Sequence, residues 1–138
     1  MPRGKTLINI IKLPRIIDDC VLCFAQTPEQ IPFKIARIYF ISNPQKDLSR
    51  GKHAHYKNRQ VLFCLKGSVK MLLDDGKKKE EYLMTNPEEG VFLDRLIWHE
   101  MNDMDEDTIL LVVASRKFEA KDYIRDYGKF KKVTASHK

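Results

Sequence analysis

The sequence predicts an all-β fold, and two observations carry this prediction: the spacing of the apolar runs and the residues between them. Short runs rich in Val, Ile, Leu, Phe and Tyr recur about every 8–15 residues through most of the chain. Residues typical of turns separate these runs, such as the Asn-Pro pairs at 43–44 and 86–87 and the Asp-Asp-Gly sequence at 74–76. Many short strands in this arrangement are typical of a β-sandwich or a β-barrel.

The strand pattern holds in seven segments, and the C-terminal part of the chain departs from it. The predicted strands are 20–24, 33–41, 60–65, 68–73, 81–84, 90–93 and 108–115. The last of these is the richest in β-branched residues, so we expect it in the interior of a sheet. The segment 121–127 is predicted to form a short helical turn with Tyr123, Ile124 and Tyr127 on one side. We expect 133–138 to be frayed.

Length and hydropathy indicate one domain outside the membrane. A chain of 138 residues can bury roughly two-thirds of its unfolded surface. No linker or internal repeat divides it, so we expect a single domain spanning 1–138. The sequence has no run of about 18 apolar residues, and its N-terminus lacks the hydrophobic stretch of a secretory signal. We therefore expect no membrane partner and a cytoplasmic location.

The three cysteines and the net charge of +6 each permit more than one interpretation. Cys20 and Cys23 form a C-x-x-C pair, but a zinc site needs further ligands at matching spacing. A structural role is therefore favoured for the pair. The positive charge fits a solvated lysine-rich surface or the attraction of an anionic small molecule. Because the basic residues are scattered and lack interleaved aromatic residues, nucleic-acid binding is not expected.

The clearest candidates for chemistry are His53 and His55. Residues i and i+2 of an extended segment point to the same side, so the two imidazoles are predicted to project together. A histidine is ready to act as a general base near neutral pH, which suits removal of a proton beside a carbonyl group. Arg37 and Tyr39 share a face by the same rule, Tyr39 as a candidate proton donor, and Arg50 is a candidate phosphate ligand. Structural histidines and a core tyrosine remain the alternatives.

The flanking sequence resembles the two motifs of the cupin fold, a jelly-roll β-barrel. The H-x-H pair followed by Gln60 and Gly67 resembles the first motif, and Trp98-His99 followed by Asn102 resembles a degenerate second motif. Metal-binding cupins have a glutamate where this chain has Gln60, and a neutral amide is a poorer ligand for a divalent ion. The resemblance therefore implies a cupin β-barrel without metal, while a three-histidine metal site remains an alternative.

Several segments, in the same order, resemble the dTDP-sugar 3,4-ketoisomerases, which are cupin enzymes. These segments are 37–41, 46–55, 60–68, 98–101 and 122–127. The resemblance implies an enzyme that converts dTDP-4-keto-6-deoxy-D-glucose into a dTDP-3-keto-6-deoxy-hexose through an enediol. Such enzymes serve the biosynthesis of 3-amino-3,6-dideoxy sugars for lipopolysaccharide or O-antigen. The resemblance implies no metal and no organic cofactor, and it implies a homodimer with exchanged N-terminal strands.

The same resemblance implies roles for individual residues. His53 corresponds to the catalytic histidine, with His55 and Tyr39 as its partners in the active site. The residues implied to contact the substrate are Arg37, Arg50, Gln60, His99 and Asp19. His99 resembles the type that forms the galactose configuration, whereas Asp19 resembles neither common type, so the configuration of the product at C4 is left open.

Two other classes of function remain open from the sequence. One is a metal-dependent cupin enzyme that uses His53, His55 and His99 as ligands. The other is a β-barrel that binds a nucleotide-sugar without catalysis. Metal analysis separates the first class from the metal-free enzyme, and exchange of a sugar hydrogen with heavy water separates the second.

Overall fold

The computed structural model describes residues 6–137 and consists mainly of β-strands with one C-terminal helix. The strands are β1 (Asn9–Lys12), β2 (Arg15–Ile17), β3 (Val21–Cys23), β4 (Arg37–Ser42), β5 (Arg50–His55), β6 (Gln60–Lys66), β7 (Val69–Asp74), β8 (Lys79–Met84), β9 (Glu89–Leu93), β10 (Trp98–Asn102), β11 (Ile109–Ala114) and β12 (Tyr123–Ile124). The helix α1 is Tyr127–Ser136, and a short 3-10 helix, Ala120–Asp122, precedes β12.

Among the described residues, the strands form two five-stranded antiparallel sheets and one separate hairpin. The first sheet has the order β1-β9-β6-β11-β4, the second has the order β12-β5-β10-β7-β8, and the hairpin consists of β2 and β3. Strand β11 lies between β6 and β4, so its predicted interior position is confirmed. The predicted hairpin at 74–76 is confirmed too, because β7 and β8 pair with Asp74 opposite Lys79. The all-β, cupin-like fold class is confirmed.

The main hydrophobic core lies between the two sheets. It joins Leu62 and Leu110 of the first sheet to Met71, Leu73 and Met101 of the second, and all five are nearly inaccessible to solvent. Burial of this apolar surface is the main favourable term that holds the sheets together. Strand β4 alternates between half-buried and exposed residues, which is the expected pattern for a strand with one face on the core.

The second of the seven predicted strands begins later than predicted. The sequence predicts a strand over 33–41, whereas β4 begins at Arg37. Pro32 has no backbone N–H to donate to a neighbouring strand, and the preceding segment packs Ile31 and Phe33 into a second apolar cluster with Val61 and Phe63. Tertiary burial rather than strand pairing therefore accounts for the apolar residues Ile31 and Phe33, whereas Ile35 and Ala36 are exposed.

The predicted C-terminal helical segment is confirmed, but the α-helix begins at Tyr127, where the predicted segment 121–127 ends. Tyr123 and Ile124 pair instead with His55 and Ala54 at the edge of the second sheet, so they point to opposite faces rather than to one side. The helix begins at Tyr127, after the Asp126 side chain accepts a hydrogen bond from the Lys129 amide.

The expectation of a frayed C-terminus is wrong for residues 133–136. Helix α1 continues through Ser136, and its Phe130 side chain is fully buried against Trp98, Ala54 and Ile124. This contact anchors the helix to the second sheet, near the strands that carry the histidines. The last residue of the chain lies outside the described residues.

Two further expectations concern the membrane and the cysteines. Helix α1, a ten-residue helix, is the longest one among residues 6–137, and no helix there is long and apolar enough to cross a membrane. Cys20, Cys23 and Cys64 are free thiols, of which Cys20 is exposed and Cys64 is buried.

Candidate active site

Strands β5 and β10 bring three histidines together. His53 lies opposite His99 in the strand register, and their ring centroids are 4.5 Å apart. The His55 ring is 5.0 Å from that of His53 and 6.1 Å from that of His99. The predicted projection of His53 and His55 to the same side is therefore confirmed. We call these three residues the histidine cluster.

Gly51 allows β5 and β10 to approach closely beside the histidine cluster. It has a φ of +83°, and a Cβ atom there would lie 2.9 Å from the carbonyl oxygen of His99. A residue with a side chain would meet both backbone strain and a collision. The register also shifts between His99 and Glu100, which marks an irregularity in the strand at this point.

In each imidazole ring of the histidine cluster, one nitrogen forms a hydrogen bond with an oxygen atom that has no hydrogen of its own to donate. The Nδ1 atom of His53 lies 2.9 Å from the carbonyl oxygen of Gly51, and that of His99 lies 3.4 Å from the carbonyl oxygen of Ile97. The Nδ1 atom of His55 lies 3.2 Å from a carboxylate oxygen of Asp122. Nδ1 must therefore donate in all three rings, which leaves Nε2 with a free lone pair when the rings are neutral.

Burial keeps the histidine cluster neutral. Desolvation lowers the pKa of His53, and the positive charges of Arg125 and Arg50 act in the same direction. Desolvation also lowers the pKa of His55 to about 4, despite the opposing effect of Asp122, and it holds the pKa of His99 well below 6.5. His55 and His99 are buried, whereas His53 is only half-buried and so is the most accessible of the three.

Asp122 is a site residue to which the sequence analysis assigns no role. Besides its contact with His55, this buried carboxylate accepts hydrogen bonds from the backbone amides of Lys57 at 2.8 Å and Asn58 at 3.2 Å. Asp122 thereby connects the end of β5 to the segment before β12. In the sequence, Asp122 stands out only as the first residue of the segment 122–127, which resembles the ketoisomerases. A contact between residues 55 and 122 leaves no local pattern that could be recognised.

Tyr123 and Arg125 also lie at the histidine cluster. The ring of Tyr123 is 4.8 Å from that of His53 and 4.4 Å from that of His55. The guanidinium of Arg125 lies over the Tyr123 ring, 4.3 Å from the ring centroid. The sequence analysis assigns Tyr123 to a helical turn, and its role at the site appears only once β12 pairs with β5.

Tyr39 and Gln60 form a hydrogen-bonded pair. The hydroxyl of Tyr39 donates to Oε1 of Gln60 at 2.8 Å, and Nδ2 of Asn58 donates to the same oxygen at 3.3 Å. Desolvation raises the pKa of Tyr39 to about 12, so this hydroxyl stays protonated. Nε2 of the buried Gln60 has no hydrogen-bond partner among the described residues, which leaves one amide donor free.

The two predicted arginines lie on different strands. The Arg37 guanidinium lies 5.3 Å from the ring centroid of Tyr39 and 5.9 Å from that of Phe118. Its buried Nε atom has no hydrogen-bond partner within residues 6–137, so the side chain has donor capacity to spare. Arg50 is exposed at the start of β5, and its charge acts on His53 and Tyr39.

Asp19 is the one predicted site residue that the structure places apart. It lies in the exposed turn between β2 and β3, and within the described part of the chain no contact joins it to the histidine cluster. All other predicted residues lie on β4, β5, β6 or β10.

The histidine cluster also has the donor set of a metal site. One ring nitrogen from each of the three histidines lies within 4.8 Å of those of the other two. Neutral imidazole is a ligand for zinc, copper, iron and nickel. The chemistry that the cluster supports is therefore proton transfer by a neutral imidazole or coordination of a transition metal, through the same lone pairs.

Fold and site together define a small cupin-like protein with a buried group of neutral imidazoles beside a protonated tyrosine. A family model described as "FdtA: WxcM-like, C-terminal" matches residues 6–135. A TDP-4-oxo-6-deoxy-alpha-D-glucose-3,4-oxoisomerase from Aneurinibacillus thermoaerophilus is 39% identical over 128 residues, which cover 92% of each chain. The chain belongs to this family of sugar 3,4-ketoisomerases, as the resemblance predicts.

Solved structures agree with this assignment. The TDP-fucose-3,4-ketoisomerase WlaRA from Campylobacter jejuni superposes with a TM-score of 0.88 and 33% identity, covering 92% of this chain and 95% of the other. A mutant of the 3,4-ketoisomerase QdtA from Thermoanaerobacterium thermosaccharolyticum, in complex with TDP-4-keto-6-deoxyglucose, gives a TM-score of 0.91 and 34% identity. It covers 96% of this chain and 97% of the other.

Proposed function

We propose that this chain converts TDP-4-keto-6-deoxy-D-glucose into a TDP-3-keto-6-deoxy-hexose without a metal or an organic cofactor. The relative from A. thermoaerophilus is named for this class of reaction, and the QdtA mutant was solved with this sugar. The product is a ketone that an aminotransferase can convert into a 3-amino sugar, in line with the deoxysugar pathways that the sequence predicts. The whole chain acts as one domain in this proposal.

The reaction consists of two proton transfers at neighbouring carbons. A base removes the proton on C3, the electron pair of that C–H bond forms a C3–C4 double bond, and the oxygen on C4 gains a proton. The enediol then loses the proton of its C3 hydroxyl while C4 gains one on carbon. The ketone has moved from C4 to C3, and no electron or atom has been added.

His53 is the base in this proposal. The observation that carries the proposal is the half-buried, neutral imidazole of His53, whose Nδ1 donates to Gly51 and whose Nε2 lone pair is free. Because the pKa of His53 is lowered, the unprotonated form predominates at neutral pH. His55 and the Tyr123 ring pack against it and limit its rotation.

Tyr39 is the hydrogen-bond donor to the oxygen that gains charge. Its hydroxyl stays protonated, and its single O–H turns from Gln60 to the sugar oxygen when the substrate binds. A donor at this position stabilises the developing enediolate. The free Nε2 donor of Gln60 is available for a second hydrogen bond to the sugar.

Arg37 and Arg50 bind the diphosphate in this proposal. Arginine donates to phosphate oxygens in a planar fork, and the unpartnered Nε of Arg37 supports this role. The His99 ring lies 4.5 Å from that of the proposed base, and in this proposal His99 contributes to the shape of the sugar pocket.

We further propose a homodimer in which the β2–β3 hairpin packs on a second copy of the chain. The hairpin exposes Ile16, Ile17, Val21 and Leu22, each with about half or more of its surface accessible. An apolar groove of about 610 Å³ lies beside it and includes Val21, Ile35, Ile38 and Leu65. A monomer rarely leaves such a surface in water. Exchange of the hairpin brings Asp19 to the partner's substrate, which accounts for its distance from the histidine cluster.

The most informative experiment is NMR of the product formed from TDP-4-keto-6-deoxyglucose, with an aminotransferase added to trap it. A 3-amino-3,6-dideoxy sugar is the expected product, and its coupling constants report the configuration at C4. The assay is run with and without EDTA. Activity lost in EDTA and restored by metal favours a metal-dependent enzyme, whereas binding without conversion favours a non-catalytic protein.

A further inference from the structure

We infer that the phenyl ring of Phe118 binds the pyrimidine base of the nucleotide-sugar by stacking. This residue belongs neither to the histidine cluster nor to the groups proposed to bind the sugar and the diphosphate. The inference rests on the proposed function, because it assumes a TDP-sugar whose sugar ring lies at His53. It goes beyond that function by assigning a residue to the far end of the substrate.

Phe118 is an exposed aromatic residue whose position is not explained by packing. It lies between β11 and the 3-10 helix, and 59% of its surface is accessible to solvent. It belongs to none of the three apolar clusters of the described residues. Contact of a large apolar side chain with water is unfavourable, so a ligand that covers the ring gains the free energy of its burial.

Two contacts place Phe118 beside the histidine cluster. Its ring centroid is 5.6 Å from that of Tyr123, and the Tyr123 ring in turn contacts His53 and His55. The guanidinium carbon of Arg37 lies 5.9 Å from the Phe118 ring centroid. Single exposed apolar residues are common on protein surfaces, but this one contacts two residues of the candidate active site. Phe118 is therefore part of the wall of that site.

The order of these groups follows the order of the chemical groups in a nucleotide-sugar. His53 is the proposed base at the sugar ring, and Arg37 is a proposed ligand of the diphosphate. Phe118 lies next to Arg37, and within residues 6–137 it reaches His53 only through the Tyr123 ring. A nucleotide-sugar has its sugar at one end, its diphosphate in the middle and its base at the other end. With the first two at their proposed positions, the base is the part that comes to Phe118.

The chemistry of the ring selects a planar aromatic ligand group. Phenylalanine has no hydrogen-bonding atom in its side chain, so Phe118 binds a ligand only through its apolar ring. Nucleotide bases stack on aromatic side chains, and each such contact contributes to affinity. An arginine within about 6 Å of a ring is attracted to its face, and this attraction holds the Arg37 guanidinium where the diphosphate is proposed to bind. A ligand with an aromatic end and an adjacent anionic group fits this pair.

The binding test compares TDP with inorganic diphosphate by isothermal titration calorimetry. Phe118→Ala is expected to weaken TDP binding by about five- to a hundredfold, the usual contribution of one stacked base. Binding of inorganic diphosphate is expected to stay unchanged, because this ligand has no base. Leu83→Ala is the matched control and is expected to change neither affinity, since Leu83 is an apolar residue of β8 with a similar exposure of 56%.

A spectroscopic readout distinguishes stacking from a general apolar contact. In the ¹H NMR spectrum of bound TDP, the signals of the thymine methyl group and ring proton are expected to shift upfield, because a phenyl ring shields protons above its face. Phe118→Leu keeps an apolar side chain without a ring and is expected to lose this shift. Phe118→Tyr keeps the ring and is expected to retain both the shift and the affinity.

Steady-state kinetics with the sugar substrate give an independent readout. Stacking far from the reacting carbons is equally strong in the ground state and in the transition state. Phe118→Ala is therefore expected to raise KM and to leave kcat nearly unchanged. A fall in kcat at an unchanged KM overturns the inference.

The binding data decide between the inference and the proposed function. TDP affinity that survives Phe118→Ala, an equal loss for inorganic diphosphate, or the absence of the upfield shift in the unaltered protein overturns the inference. If the upfield shift is present and Phe118→Ala weakens TDP binding, but the unaltered chain does not isomerise the sugar, the base site stands and the proposed function fails. Failure of the unaltered chain to bind TDP overturns both.

Discussion

Nδ1 of His55 lies 3.2 Å from a carboxylate oxygen of Asp122, although 67 positions separate the two residues in the chain. The contact joins β5 to the segment before β12, and the Asp122 carboxylate also accepts hydrogen bonds from two backbone amides. It fixes the tautomer of His55, and His55 in turn packs against His53. The proposed base is therefore held in place by a residue that does not touch it.

A continuous hydrogen-bond network joins the pair of His55 and Asp122 to Tyr39, the proposed donor. The backbone amide of Asn58 donates to Asp122, and its side-chain amide donates to Gln60. Gln60 accepts the hydrogen bond of Tyr39 through the same oxygen. Asn58 thereby fixes the distance between the two halves of the site, on which proton transfer depends.

Replacing the proposed base tests its role most simply. His53→Asn is expected to reduce kcat by about 10²–10⁴-fold, the usual contribution of general-base catalysis, while the circular dichroism spectrum and TDP affinity stay near normal. His137→Asn is the matched control, because this histidine is exposed beyond the end of α1. A His53→Asn variant with nearly normal kcat removes His53 from the mechanism.

Removing one hydroxyl tests the proposed proton donor. Tyr39→Phe keeps the ring that faces the core but loses the O–H group that Gln60 holds, so turnover is expected to fall while TDP affinity changes little. Steady-state kinetics and TDP titration separate the two effects. The control is Tyr82→Phe, which loses a comparable hydrogen bond, to Glu89 of β9. Equal losses in both variants indicate a general effect on the fold.

Asp122→Asn tests the positioning of His55. An amide NH₂ group facing Nδ1 would favour the tautomer with the proton on Nε2, and one buried amide donor would lose its acceptor at a cost of about 1–3 kcal/mol. We expect kcat to fall by between about tenfold and 10⁴-fold, the larger figure being the loss when such an aspartate supports the base directly.

If Asp122 had a purely structural role, its replacement would leave the tautomer of the His55 ring unchanged. The ¹⁵N spectrum of His55 is therefore recorded in the Asp122→Asn variant and in the control Asp107→Asn, which alters an exposed carboxylate. An unchanged tautomer together with normal kcat in Asp122→Asn contradicts the positioning role.

The pH dependence of kcat/KM follows from the pKa shifts. The base acts in its neutral form, so activity is present above the pKa of His53 and is lost as the pH falls through it. Because burial lowers that pKa below 6.5, the loss is expected only on the acidic side. The pKa of Tyr39, at about 12, predicts no loss between about pH 7 and 10. A decline that begins near pH 8 is inconsistent with Tyr39 as the donor.

The sequence predicts the fold class and the histidine pair because both depend on local spacing. Alternation of apolar residues defines strands such as β7, β8 and β11, and the i, i+2 rule places His53 beside His55. The resemblance to a known family adds His99, which lies on another strand. No local rule brings His99 to His53, so their meeting depends on the pairing of β5 with β10.

The sequence does not predict the part of the site that β12 supplies. The spacing of Tyr123, Ile124 and Tyr127 fits a helix, but the free edge of β5 offers backbone hydrogen bonds that the two-residue strand satisfies. Asp122 and Tyr123 reach the histidine cluster through this pairing. Long-range edge pairing of so short a strand has no signature in the sequence.

The most direct test of the account follows the hydrogen that His53 is proposed to move. TDP-4-keto-6-deoxyglucose is incubated with the enzyme in heavy water, and the ring protons are observed by NMR. We expect deuterium to enter the product at C4, the former ketone carbon, and to enter C3 of the substrate through the reverse reaction. The His53→Asn variant is expected to slow this exchange by about 10²-fold or more. Isomerisation without deuterium uptake, or undiminished exchange in His53→Asn, would contradict the account.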